Sequence, residues 1–314
     1  MKTLRKAVAD YIALRQGLGF KMQGQERGLR YFLSFLKQKG STRITTALAL
    51  QFAIQRRQTH PAEYAKRLSI VRGFARYHRG IDPSTEVPPF GLLPRRQQRR
   101  NPYLYSEDEI GQLLKAAQRL RSKNGLKPWT YHCLLGLLAV TGMRLGEAVN
   151  LRFQDVDCAQ GLLTICNTKF GKSRLIPLHA TTQKVLARYI QRRKRLFSGG
   201  LADQVFVSDR GVPLRLSTVE ETFDELLRQV GLPAPSVEHK PRLHDFRHRF
   251  AVETLKRWYR NGEDVGRRLP VLSTYLGHAQ VTHTYWYVTN TPELMKAAGN
   301  RVEKRWRPVD EIRA

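Results

Sequence analysis

Six residues in the last two-thirds of the chain carry side chains suited to chemistry on a phosphodiester. They lie in the phrases TGMRLGE, TKFGKSR, HDFRH, LGH and TYWY, and they are Arg144, Lys169, His244, Arg247, His278 and Tyr287. Guanidinium groups match two phosphate oxygens at once, and an ammonium group can protonate an alkoxide leaving group. A tyrosine attacks only when nearby cations or a base help to ionise its phenol. The set predicts a tyrosine nucleophile acting on a phosphate that the cations hold.

Each of these phrases also has an ordinary structural explanation when it is taken alone. Arg144 with Glu147 is compatible with a surface ion pair, and Lys169 with a solvated basic hairpin. His244 and His248 stand one helical turn apart and would suit zinc. The glutamate of the H-E-x-x-H pattern is missing and no third ligand is evident, so we expect no metal. The argument for catalysis therefore depends on the whole set.

The elements that must position these residues are mostly helical. Apolar residues at three- and four-residue spacing predict four helices over residues 1–82. Residues 103–314 predict further helices, a short strand at QVFVS, and one hairpin, in which LLTIC and RLIPL flank a bend at Gly171. The fold class expected is mainly α with a small β-sheet, in two domains.

A basic, proline-rich linker is predicted over residues 83–102. Its prolines forbid a continuous helix. Four arginines interrupt it, and an extended basic segment could follow a phosphate backbone. The predicted DNA contacts in this linker are Arg95, Arg96, Arg99 and Arg100. Two further DNA contacts, Lys172 and Arg174, are predicted in the hairpin beside Lys169, where a solvated basic turn is the alternative.

The charge of the chain predicts a polyanionic partner. There are 55 Lys and Arg against 26 Asp and Glu, a net charge of +29. Such an excess favours nucleic acid, with an acidic membrane surface as the alternative. No apolar run is long enough to span a bilayer, and the N-terminus does not resemble a signal peptide. The three cysteines lack metal-ligand spacing and suit a reducing compartment. We expect a cytoplasmic, nucleoid-associated bacterial protein.

The ordered motifs resemble the tyrosine recombinase family of the phage integrase type. The pattern TG-x-R-x-x-E matches at Thr141 to Glu147, K-x-G-K-x-R-x-x-P at Lys169 to Pro177, and H-x-x-R-H at 244–248. LGH matches at 276–278. In this family the nucleophile follows that histidine by nine residues, which selects Tyr287 over Tyr285.

This resemblance implies a fold and a mechanism. The fold would be a helical, SAM-like core-binding domain followed by a catalytic domain. Tyr287 would form a 3′-phosphotyrosyl bond, Arg144 and Arg247 would neutralise the phosphorane, and Lys169 would protonate the 5′ oxygen. His244 would serve as acid or base, and His278 would donate a hydrogen bond. No cofactor would be needed, and four protomers would assemble on double-stranded DNA.

Other functions remain compatible with the sequence. The chain could be an architectural or regulatory member of a mobile element that encodes several recombinases, because TYWYVTNTPELM is similar to recombinases encoded in groups of three. It could also relax supercoils as a type IB topoisomerase does. The first would bind DNA without cleavage, and the second would act without a specific site.

Overall fold

A computed structural model describes residues 2–55, 61–94, 101–166, 173–197, 202–232, 240–289 and 291–306. The chain divides into two compact units, Met1–Arg99 and Arg100–Ala314. The predicted fold class, mainly helical with a small sheet, is confirmed. No helix in these ranges is long and apolar enough to cross a membrane.

The first unit contains the four predicted helices. They are α1 (Lys2–Gly17), α2 (Gln23–Gln38), α3 (Thr46–Ile54) and α4 (Pro61–His78). Apolar residues of α2 recur on one face, so Leu29, Phe32 and Leu36 are buried against the other helices. Pro61 begins α4, where its fixed φ and missing N–H cost nothing.

The first part of the predicted linker packs onto this unit. The buried guanidinium of Arg72 donates to the carbonyl oxygens of Pro88 (2.7 Å) and Pro89 (2.8 Å). The backbone N–H of Glu86 donates to the carbonyl of Ile44. The four linker arginines predicted to contact DNA, Arg95, Arg96, Arg99 and Arg100, lie outside the described residues. The proposed boundaries at 82 and 102 stay a prediction.

The second unit surrounds a buried helix with amphipathic ones. Its helices are α5 (Glu107–Ala117), α6 (Leu126–Thr141), α7 (Leu145–Val149), α8 (Ala180–Leu196), α9 (Leu216–Gln229), α10 (Asp245–Arg260), α11 (Val265–Leu276), α12 (Thr282–Thr289) and α13 (Pro292–Trp306). The apolar α6 forms the centre, with α5, α8 and α10 packed against it. The spacing of Ser106 and Glu109 is typical of a capping box, and the two residues form one at the start of α5.

A three-stranded antiparallel sheet holds the predicted hairpin. Its strands are β1 (Val156–Asp157), β2 (Leu162–Ile165) and β3 (Arg174–Pro177), in the order β1-β2-β3. Strands β2 and β3 pair as the expected hairpin, with Leu163 opposite Ile176. Strand β1 has two residues and gave no sequence signal. The predicted strand QVFVS forms only isolated bridges, at Gln204 and Val207.

Candidate active site

Arg144 stands at the junction between two helices. Helix α6 ends at Thr141, and its C-cap is Gly142, whose φ of 60° is left-handed and suits glycine. Arg144 is then the extended N-cap of α7. Glu147, one turn later, accepts from the Arg144 backbone N–H (2.9 Å) and from its Nη1 (2.7 Å). This local pairing fixes both the backbone and the side chain of Arg144.

The C-terminal end of α11 receives three guanidinium groups from three different elements. Arg174 Nε donates to the carbonyl of Tyr275 (2.7 Å), Arg247 Nη2 to Leu276 (2.6 Å) and Arg144 Nη2 to Gly277 (2.8 Å). Carbonyls in the last turn of a helix lack intrahelical partners and carry partial negative charge. They therefore bring Arg144 and Arg247 together immediately before His278.

Arg247 is the deeply buried member of the pair. Its side chain leaves α10, is 2% exposed, and also donates through Nη1 to the carbonyl of Gly142 (3.0 Å). Burial lowers the pKa of Arg247 to about 10, so it is still a cation at neutral pH. A positive group held in a desolvated setting attracts a phosphate more strongly than the same group in water.

His244 and His278 are neutral bases at physiological pH. Desolvation and the charges of Arg247 and Arg242 lower the pKa of His244 to about 4, although the residue as a whole is exposed. Burial and the same kind of positive field lower the pKa of His278 to about 3. Nδ1 of His278 lies 2.8 Å from Thr284 Oγ1, which orients its ring. Both histidines can exchange hydrogen bonds with a phosphate or a phenol without carrying charge.

Tyr287 faces the cluster and Tyr285 does not. The Tyr287 ring centroid lies 6.0 Å from that of His278 and 5.4 Å from that of His248. Tyr287 is 3% exposed, whereas Tyr285, on the opposite side of α12, is 50% exposed. The structure therefore gathers Arg144, Arg247, His278 and Tyr287, with His244 in ring contact with His248.

Of the three basic residues predicted to act in the hairpin, the structure describes Arg174. Lys169 and Lys172 lie outside the described residues. Arg174 is described, and its side chain is only 7% exposed because it is paired with Glu147 and Tyr275. This burial argues against the predicted direct contact with DNA. Arg174 instead pairs with Glu147, which in turn pairs with Arg144.

Two residues of the site had weaker sequence signals. Thr284 stands three residues before Tyr287 in the sequence, and its hydroxyl contacts His278. His248 was considered only as a zinc ligand. Its ring contacts Tyr287, and its Nδ1 is buried without a hydrogen-bond partner among the described residues. Within those residues, no group of three His, Cys, Asp or Glu side chains could hold a metal.

Comparison with known proteins defines the class. The phage integrase family model matches residues 104–293. A putative integrase/recombinase of Sinorhizobium fredii, y4rB, is 49% identical over 310 residues, covering 98% of this chain and 99% of that protein. The chain belongs to the phage integrase family, the tyrosine recombinases, whose members break and rejoin DNA. The resemblance drawn from the motifs is confirmed.

Two solved structures share the fold of the chain. The Tn1549 transposon integrase, in complex with transposon right end DNA, is 17% identical with a TM-score of 0.66, over 96% of this chain and 98% of the other. A lambda integrase tetramer bound to a Holliday junction is 20% identical with a TM-score of 0.62, over 90% and 76%. At these identities the likeness concerns the fold.

Proposed function

We propose that this protein is a site-specific recombinase that cuts and rejoins double-stranded DNA through a 3′-phosphotyrosyl intermediate. The observation that carries the proposal is the convergence of Arg144 and Arg247 on the end of α11, beside His278 and Tyr287. Two cations, two neutral imidazoles and a phenol are the groups needed to bind a phosphodiester and attack it.

The reaction proceeds by exchange of one phosphate ester for another. The Tyr287 Oη attacks the scissile phosphorus, and the bond to the 5′ oxygen breaks. Arg144 and Arg247 stabilise the charge of the phosphorane, while His244 takes up or returns the phenol proton and His278 donates to a phosphate oxygen. Lys169 supplies the proton to the leaving 5′ oxygen. Ester energy is retained in the protein–DNA bond, so no cofactor takes part.

The buried position of Tyr287 requires movement of α12 before attack. At 3% exposure its phenol cannot reach a phosphate while α12 is packed against α10. We propose that binding of DNA displaces α12 far enough to present Oη to the phosphorus, with His278 and Thr284 as neighbours.

The first unit would hold DNA without taking part in the chemistry. An open groove of about 1050 Å³ between α2 and α4 is lined by Arg27, Lys66 and Arg67, among others. Cations along an open groove suit the phosphate backbone. Exchange between two duplexes calls for four copies, as in the lambda integrase tetramer bound to a Holliday junction. A mobile element is the setting that we propose, because the transposon integrase of Tn1549 shares the fold.

Covalent trapping on nicked DNA tests this function. The DNA flanking the gene supplies candidate inverted repeats, and a nick beside the scissile phosphate prevents religation. We expect a protein–DNA adduct with the wild type and with Tyr285→Phe, and none with Tyr287→Phe. An adduct that survives Tyr287→Phe would refute the assignment. Specific binding without any adduct would instead support an architectural role, and relaxation of a plasmid without the repeats would support a topoisomerase.

A further inference from the structure

Helix α8 presents an uninterrupted row of positive charge to solvent, which we call the basic face. The helix contains six basic residues and no acidic residue. Exposed cations recur on one side of it at three- and four-residue spacing, and they are Lys184, Arg188, Arg192 and Arg195. Surface helices usually mix both signs of charge, because i,i+4 pairs of opposite charge stabilise them.

Ion pairing within the fold does not account for these charges. In the part of the chain that the structure describes, no ion pair includes any of the four. The helix dipole favours cations only in the last turn, which accounts for Arg195 but not for Lys184 and Arg188. By contrast, the buried Arg193 donates to the carbonyl of Ala202 at 2.7 Å.

The Arg192 end of the basic face lies away from the candidate active site. The Arg192 guanidinium stacks on Trp129, 4.6 Å from the ring centroid, in the first turn of α6. Arg144 follows the other end of that helix. Twelve residues separate Trp129 from Thr141, so about 18 Å of helix separates the two sites along the axis of α6. The phosphate held by Arg144 therefore cannot also contact Arg192.

One acidic residue stands near this end of α6. The Asp209 carboxylate accepts hydrogen bonds from Ser122 Oγ and from the backbone N–H groups of Lys123 and Lys127. Lys123 and Lys127 carry two positive charges against the one negative charge of Asp209.

We propose that the basic face binds the phosphate backbone of a stretch of double-stranded DNA separate from the stretch held at the active site. From Lys184 to Arg195 the row covers about 16 Å, which corresponds to roughly five phosphates of one strand. Arginine and lysine contacts of this kind position DNA without reading sequence. The inference rests on the proposed function, since DNA is its ligand. The surface would hold DNA that flanks the stretch at the active site.

Neutralising the basic face tests the inference. In the variant Lys184→Gln, Arg188→Gln, Arg195→Gln, glutamine preserves helix propensity and the Arg192–Trp129 contact stays. The control variant Arg228→Gln, Arg257→Gln, Arg260→Gln removes three exposed charges elsewhere in the same unit. The measurement is the salt dependence of binding to a long random-sequence duplex. Each lost phosphate contact flattens the slope of log binding constant against log salt concentration by about 0.9. We therefore expect the slope to flatten by about 2.7 in the basic-face variant and to change little in the control.

Either of two results would overturn the inference. An unchanged slope in the basic-face variant would mean that these residues do not bind DNA, and an acidic protein would then be the partner that suits their charge. An equal flattening in both variants would mean that the loss of net charge, and not the basic face, causes the effect. Circular dichroism and melting establish that both variants fold. Both keep every residue of the proposed reaction, so covalent trapping judges the proposed function and the salt slope judges the basic face.

Discussion

The carboxylate of Glu147 joins the guanidinium groups of Arg144 and Arg174. Its Oε1 lies 2.7 Å from Nη1 of Arg144, and its Oε2 lies 2.7 Å from Nη2 of Arg174. Burial opposes ionisation of Glu147, but hydrogen bonds from both arginines hold its pKa below the usual value. Strand β3 and the N-terminus of α7 are thereby tied together directly behind the proposed phosphate site.

Removing the Glu147 carboxylate alone should lower the free energy of unfolding more than replacing both Glu147 and Arg174. Glu147→Gln leaves the 7%-exposed Arg174 without its counter-ion, and we expect the free energy of unfolding to fall by about 3 kcal/mol. Replacing Arg174 as well, in Glu147→Gln with Arg174→Met, should recover part of that loss. Urea unfolding of the single and double variants measures the coupling. Additive losses would mean that the two residues do not interact.

Arg174 should affect the reaction without acting as a DNA contact. Its donors point to Glu147 and Tyr275, so Arg174→Gln should slow formation of the covalent adduct by misplacing Arg144. The salt dependence of DNA binding should stay within the error of the wild type. A slope flatter by about 0.9 would instead identify Arg174 as a direct phosphate contact, as the sequence first predicted.

The sequence predicted local features well and long-range pairings poorly. The capping box at Ser106 and the C-cap of α6 at Gly142 depend only on residues a few positions away, so the sequence alone indicates both. The order of the motifs predicted which cations belong together. The pairing of Arg174 with Glu147 crosses 27 residues, and the acceptors at Tyr275 to Gly277 are backbone carbonyls. Backbone acceptors leave no residue-type signal, so no pattern could have predicted them.

His248 should make folding stability depend on pH. Burial, with the positive charge of Arg242, lowers its pKa to about 3 in the folded chain, against about 6.5 when unfolded. The unfolded chain therefore binds the extra proton as the pH falls below 6.5, which destabilises the fold. Between pH 7.5 and 5 this costs at most roughly 2 kcal/mol.

The contribution of His248 is isolated by a comparison of two proteins. His244 and His278 also have lowered pKa values, so the wild type has a larger total dependence. Between pH 7.5 and 5, the difference in unfolding free energy between the wild type and His248→Gln should change by at most roughly 2 kcal/mol. Parallel pH curves for the two proteins would contradict the prediction.

The C-terminal helix α13 should be held in cis by its first turn. Leu294 is 1% exposed in the core formed with α10 and α12, and Glu293 pairs with Lys256 of α10. Leu294→Ala should lower the free energy of unfolding by about 2–4 kcal/mol. Val302→Ala is the matched control on the same helix, because Val302 is 58% exposed. Equal, small effects would mean that α13 does not dock on its own chain in solution.

Two glycines on either side of Arg144 should respond oppositely to alanine. Gly142 has a φ of 60°, and a Cβ there would lie 2.6 Å from Cδ1 of Phe250. Gly142→Ala therefore combines a left-handed backbone cost of about 1–2 kcal/mol with a clash against α10. Gly146 lies within α7 with no atom within 4 Å of its would-be Cβ, so Gly146→Ala should stabilise by up to about 1 kcal/mol. Thermal melting of both variants measures the contrast, and a neutral Gly142→Ala would mean that the turn before Arg144 can relax.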